Sequence, residues 1–168
     1  MRFLLNILTI GALIISPLLK SQDINSYNVN ASLNIDEKTI EVSQIMKFKN
    51  TSTNILNEIF LEDWSNSYIN NETKLAKRIS DEYSRSFSFA KKRQRGFTVI
   101  NELKSNSKVT WNRYQGQSDL IRVKLEEPIK INESISIELK YTIKLPDSKF
   151  TGFGYDDKNF YLKNCLLY

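Results

Sequence analysis

The stretch "ISIELKYTIKL", residues 135–145, constrains the fold more than any other part of the chain. Ile135, Ile137, Leu139, Tyr141, Ile143 and Leu145 alternate without exception with Ser136, Glu138, Lys140, Thr142 and Lys144. A period of two places one set on one face of an extended strand and the other set on the opposite face, whereas a helix would scatter both. A strand that is apolar on one face needs a second layer to cover it. The expected fold class is therefore all-β, an antiparallel sandwich or barrel.

Other segments repeat the pattern. In "YNVNASLNI", Tyr27, Val29, Ala31, Leu33 and Ile35 alternate with Asn28, Asn30, Ser32 and Asn34. The turn-forming "DEK" at 36–38 leads to Ile40, Val42, Met46 and Phe48 on one parity, the returning arm of a hairpin. "ILNEIFLEDW" at 55–64 is apolar on both parities, which predicts a strand covered on two sides. "GFTVI", "KVTWNRY" and "DLIRVKL" at 96–100, 108–114 and 119–125 complete the strands, with "SNS" at 105–107 as a turn. One segment reads as helix: Leu75, Ile79 and Tyr83 recur every four residues, with Ala76 and Phe87 near the same stripe and Thr73 or Asn71 as cap.

The amino-terminal residues read differently. Arg2 precedes a 13-residue apolar run at 3–15, followed by Ser16 and Pro17. This has the proportions of a secretory signal peptide and falls short of the roughly 18 residues a spanning helix needs. The expectation is a signal peptide at 1–21 and a β-sandwich domain at 22–168, in a protein that is exported to the periplasm or secreted, without a stable membrane span. A cut after Ser21 sets Leu19 where a small residue is preferred, and the alternative is an uncleaved anchor. The single cysteine, Cys165, allows no internal disulfide.

Composition limits the chemistry. The chain contains no histidine, so it lacks the commonest acid/base group near neutral pH and the commonest zinc ligand. The net charge of +5 falls to +3 without residues 1–21, and the excess sits in residues 74–95, with eight bases against two acids. Such a patch suits phosphates or acidic lipid, or is simply a solvated face; no nucleic-acid motif accompanies it, and no nucleic-acid partner is expected. The carboxylate pairs Asp156 and Asp157, Glu126 and Glu127, and Asp81 and Glu82 are sequence neighbours, which on a strand point to opposite faces, so they read as turn and surface charge. A calcium site at Asp156 and Asp157 would find only Asn159 as a further side-chain oxygen. Asn30, Asn50, Asn71 and Asn132 head N-x-S/T sequons and are assigned no role, while Trp64 and Trp111 read as packing residues before sugar platforms. No catalytic, cofactor-binding or metal-binding residue is assigned.

Taken together, the segments resemble the N-terminal domain of the aminopeptidase N family of zinc metallopeptidases, in its flavobacterial branch. The opening hairpin at 27–64 looks like that family's first strands, and "LAKRISDEYSRSFSFAKKRQRGFTVI" is the most specific match. "EEPIKINESISIELKYTIKLP" resembles the strand pair before the family's G-F-Y turn, here "GFGY" at 152–155 with an additional glycine. The resemblance implies a saddle-like β-sandwich packed against a thermolysin-like catalytic domain. That domain would follow Tyr168 and would carry HExxH, zinc and the site for peptide substrates. None of its motifs occurs in this chain, so no cofactor is expected here and the chain is expected to be inactive alone. The apolar ending "YLKNCLLY" at 161–168, with Cys165, Leu166, Leu167 and Tyr168, is then expected to be the strand that leads from the sandwich into the missing domain. Family members place Gln or Glu near this junction to hold the substrate's amino end; the aligned position here is Leu166, so no substrate-binding residue carries over. The competing expectation is a stand-alone binding module of the periplasm or cell surface.

Overall fold

A computed structural model describes residues 25–168; the signal-peptide expectation lies outside the described residues. Two antiparallel sheets form the sandwich. The larger has the order β1-β2-β7-β4, built from β1 (Ser26–Asn34), β2 (Thr39–Lys49), β7 (Ser134–Lys144) and β4 (Phe97–Ser105). The smaller has the order β3-β6-β5, from β3 (Leu56–Glu62), β6 (Gln117–Ile129) and β5 (Val109–Tyr114). A short hairpin, β8 (Gly154–Tyr155) and β9 (Phe160–Tyr161), follows.

The alternation at 135–145 has the expected consequence. Register pairs Ile40 with Ile143, Val42 with Tyr141, Gln44 with Leu139 and Met46 with Ile137, so one parity of both strands faces the core. Against it lies the smaller sheet, where Leu61 pairs with Ile121 and both are buried, beside Val123, Leu125 and Ile129. Asn34 shapes the β1–β2 turn by accepting from the amides of Asp36 (3.1 Å) and Glu37 (3.0 Å). After β7, Pro146 is flanked by two glycines. Gly154 has a φ of 119°, and a Cβ there would lie 1.9 Å from the Pro146 carbonyl oxygen, so the extra glycine of "GFGY" is required by close approach.

Three expectations need correction. β3 is an edge strand, not a strand covered on two sides: Leu61 is buried, but Phe60 is exposed on the outer face and packs edge-on against Tyr114 at 5.7 Å. Both parities were apolar because Phe60 finds an aromatic partner outside the core.

The helix α1 (Lys74–Asp81) is shorter than its apolar stripe. Thr73 caps it, accepting from the Ala76 amide at 3.1 Å, and Leu75, Ala76 and Ile79 are buried. The chain then leaves the helix: Tyr83 takes a φ of 60°, its amide bonds the Ser80 carbonyl and that of Ser84 bonds the Ile79 carbonyl. This is a Schellman ending without the usual glycine. Tyr83 is 96% exposed instead of lying on the stripe, whereas Phe87 returns to the core against Tyr68 and Phe150.

The third concerns β1. Its apolar parity was expected to face a core, but Tyr27 is 53% and Leu33 37% exposed, and only Val29 is half-buried among the strand's nine residues. β1 lies at the edge of a four-stranded sheet that is backed by three strands, and its inner face projects past the cover.

Candidate functional site

Immediately after β3, the polar sequence "DWSNS" turns inward. Asp63, Ser65, Asn66 and Ser67 are all buried, in a 3-10 turn spanning Trp64–Tyr68. Buried polar groups require partners, and most find them on the strands that meet at this side of the sandwich. Asp63 Oδ1 accepts from the Thr98 hydroxyl at 2.6 Å and Oδ2 accepts from Arg113 Nη2 at 2.9 Å. Arg113 also donates to the carbonyls of Thr98 (3.0 Å) and Ser118 (2.7 Å). Asn66 donates to the Ser118 carbonyl at 2.6 Å and accepts from the Thr98 amide at 3.2 Å. The network ties β3, β4, β5 and β6 together and reaches α1 through Thr73, whose hydroxyl donates to the Ser67 carbonyl at 2.7 Å.

Burial pushes the Asp63 carboxyl up from its ordinary range, against the opposing pull of the Thr98 hydroxyl and the Arg113 guanidinium. Both oxygens are engaged by protein donors, so the geometry is that of a tie between sheets. Among the described residues, Ser65 Oγ has no partner although it is buried.

Beside this network opens a groove of about 590 Å³ between the start of α1 and the β5–β6 turn. Asn70, Glu72, Lys74, Lys77, Tyr114 and Gln117 line it, and Arg113 and Ser118 are shared with the network. Lys74 Nζ donates to Gln117 Oε1 at 2.5 Å across it. The walls offer amides, three cations against the one carboxylate of Glu72, and one aromatic ring, the chemistry of hydrogen bonding and of attracting anionic or polyhydroxyl groups. Of the basic stretch 74–95, only Lys74 and Lys77 reach this groove.

A second polar cluster lies in the core. Tyr141 donates to Gln44 Oε1 at 2.7 Å, Gln44 Nε2 donates to the Leu167 carbonyl at 2.8 Å, and the Leu167 amide donates to the Tyr141 hydroxyl at 3.2 Å. Burial holds the Tyr141 phenol well above its ordinary value. The strand expected at 161–168 does not form: past Tyr161 the chain is turn and loop, held by these side chains, with Leu167 1% exposed, while Tyr168 is exposed and its carbonyl accepts from the Glu62 amide at 2.8 Å.

The residues weighed from sequence occupy plain positions. Trp64 packs edge-on against Tyr68 at 5.8 Å, and Trp111 sits at the sandwich edge, 39% exposed. Asp156 closes the β8–β9 turn by accepting from the amides of Lys158 (2.8 Å) and Asn159 (2.7 Å), which lowers its pKa. Glu126 pairs with Lys108 at 3.0 Å, and Asp81 and Glu82 lie exposed at the end of α1. Asn50 is fully buried and donates to the carbonyls of Asn54 and Ile129, so its sequon is closed to modification in the folded chain. Burial raises the Cys165 thiol, which opposes a reactive thiolate. Among the described residues, no three Cys, Asp or Glu side chains gather as a metal-binding group, and no helix is long and apolar enough to cross a membrane.

Sequence reasoning missed both polar clusters. Gln44 was detectable, since it interrupts the apolar parity of Ile40, Val42, Met46 and Phe48. A polar side chain on a core row demands a buried partner. The Asp63–Arg113 tie joins residues 50 apart and left no local signal. Compared with protein-family models and with curated proteins, the chain matches none.

Proposed function

We propose that this β-sandwich is the non-catalytic N-terminal domain of an exported zinc metallo-aminopeptidase, inactive on peptides by itself and packed against a catalytic domain that hydrolyses them. The observation that carries the reading beyond the segment resemblance is an apolar rim. At one end of the sandwich, the turn containing Ile35 meets the β8–β9 hairpin, with Lys38 Nζ 5.1 Å from the centre of the Phe160 ring. Ile35, Tyr161 and Leu162 stand exposed around that contact. A neighbouring domain would remove these side chains from water. The donor set of this chain does not fit zinc, having no histidine and a single raised thiol, so any zinc would be held by residues outside this sequence.

The test is the coding sequence beyond Tyr168. An open frame encoding an HExxH helix in the same polypeptide supports the reading; a stop codon there, with no such frame adjoining, overturns it.

One observation favours a second reading, a stand-alone binding module of the periplasm or cell surface. The groove beside α1, lined by side-chain amides, cations and an aromatic ring, offers a place for a ligand. Thermal unfolding of the purified chain separates the two. A single cooperative, reversible transition favours the module, and aggregation through the uncovered rim favours the domain.

A further inference from the structure

The four sheet edges are not alike. β3 carries Glu58 and Glu62, and its Glu62 amide is already taken by the Tyr168 carbonyl. β4 carries Glu102 and Lys104, is bulged after Ile100, and has its Thr98 amide and carbonyl engaged by Asn66 and Arg113. β5 carries Arg113 and shifts register after it. Charge, bulges and covering side chains are the usual guards against pairing with another chain.

Among the described residues, β1 has none of these guards. "SYNVNASLN" contains no charged residue and no proline, pairs with β2 in unbroken register through all nine residues, and its apolar row is largely uncovered. A regular, uncharged edge of this length is a template for one more strand.

The sequence of the strand also indicates which strand it takes. Two copies run antiparallel about a two-fold axis at Asn30 would pair every residue of β1: Tyr27 with Leu33, Val29 with Ala31, Asn28 with Ser32, Ser26 with Asn34, and Asn30 with itself. The side-chain period survives this register, so apolar residues meet apolar ones on the inner face and amides meet hydroxyls and amides on the outer face. No like charges oppose one another, because the strand has none.

We propose that the chain self-associates through β1, joining two four-stranded sheets into one continuous eight-stranded sheet across a two-fold axis. Paired strands about 30 Å long bury less than the ~1,200 Å² of a standard stable interface. The dimer is therefore concentration-dependent, in the micromolar range. This goes beyond the domain assignment above and does not depend on it, because the surface is the strand edge and not the rim at Ile35.

The test is sedimentation equilibrium of the full chain from low micromolar to near-millimolar concentration, with two triple variants. Asn28→Lys, Asn30→Lys and Ser32→Lys together place three like-charge contacts across the axis; the same positions changed to Glu do the same with the opposite sign. All three side chains are exposed, so far-UV circular dichroism should match the unsubstituted chain. Each variant alone should dimerise at least about tenfold more weakly, and an equimolar mixture of the two should recover a dimer at least as tight as the unsubstituted chain. A monomer at every concentration, triple variants that associate as tightly as the parent, or a mixture no tighter than its components would each overturn the proposal.

Discussion

β1 and β7 have nearly the same sequence signature and opposite fates. Both alternate apolar and polar residues without a break, yet Ile137 of β7 is fully buried and Tyr27 of β1 is 53% exposed. β7 lies between β2 and β4, and every apolar side chain on its inner face, from Ile135 to Ile143, is buried in the core. β1 hangs at the end of a sheet one strand wider than its cover. Alternation fixes which side chains share a face, but neighbours decide whether that face is dry.

The same contrast sets the energetics. Ile137→Ala should destabilise the chain by about 4 kcal/mol in chemical denaturation, since it opens a cavity where relaxation is hindered. Leu33→Ala, removing a similar volume from β1, should cost under ~1 kcal/mol. Comparable losses at the two sites would break the comparison.

On the side opposite β1, closure depends on polar ties. Arg113→Ala should cost about 3 kcal/mol by leaving the Asp63 carboxyl buried without its cation, and should push that carboxyl further upward, measurable by the pH dependence of the unfolding midpoint. Gln44→Leu should cost about 2 kcal/mol, because the Tyr141 hydroxyl and the Leu167 carbonyl both lose a partner; rapid exchange confined to residues 165–168 would identify the Leu167 tie as its target.

The smallest effect is expected at the β8–β9 turn. Backbone amides lower the Asp156 pKa, so its contribution is present above the ordinary value of 3.8 and fades as pH falls through the lower, folded value. Titration of its side-chain carbon by NMR should give a midpoint below that of a free aspartate, and Asp156→Asn should remove the acid-side change without affecting the core.

How much was legible follows from the same physics. The all-β class, the β1–β2 hairpin and the buried face of β7 could be read because each rests on local alternation. The end of α1 could not, since Tyr83 occupies a left-handed position that glycine usually announces. The two-faced expectation for β3 failed because Phe60 packs on Tyr114, a contact between strands distant in sequence. The groove beside α1 combines two segments more than forty residues apart, typified by Lys74 and Gln117, and neither has a motif of its own.

The central claim is that the sandwich is sealed along its β4 and β5 side and open along β1. Amide hydrogen exchange followed by mass spectrometry tests it directly. In dilute solution, residues 26–34 should exchange far faster than residues 134–144, and should slow as concentration rises. Protection of β1 equal to that of β7 at every concentration would contradict the account.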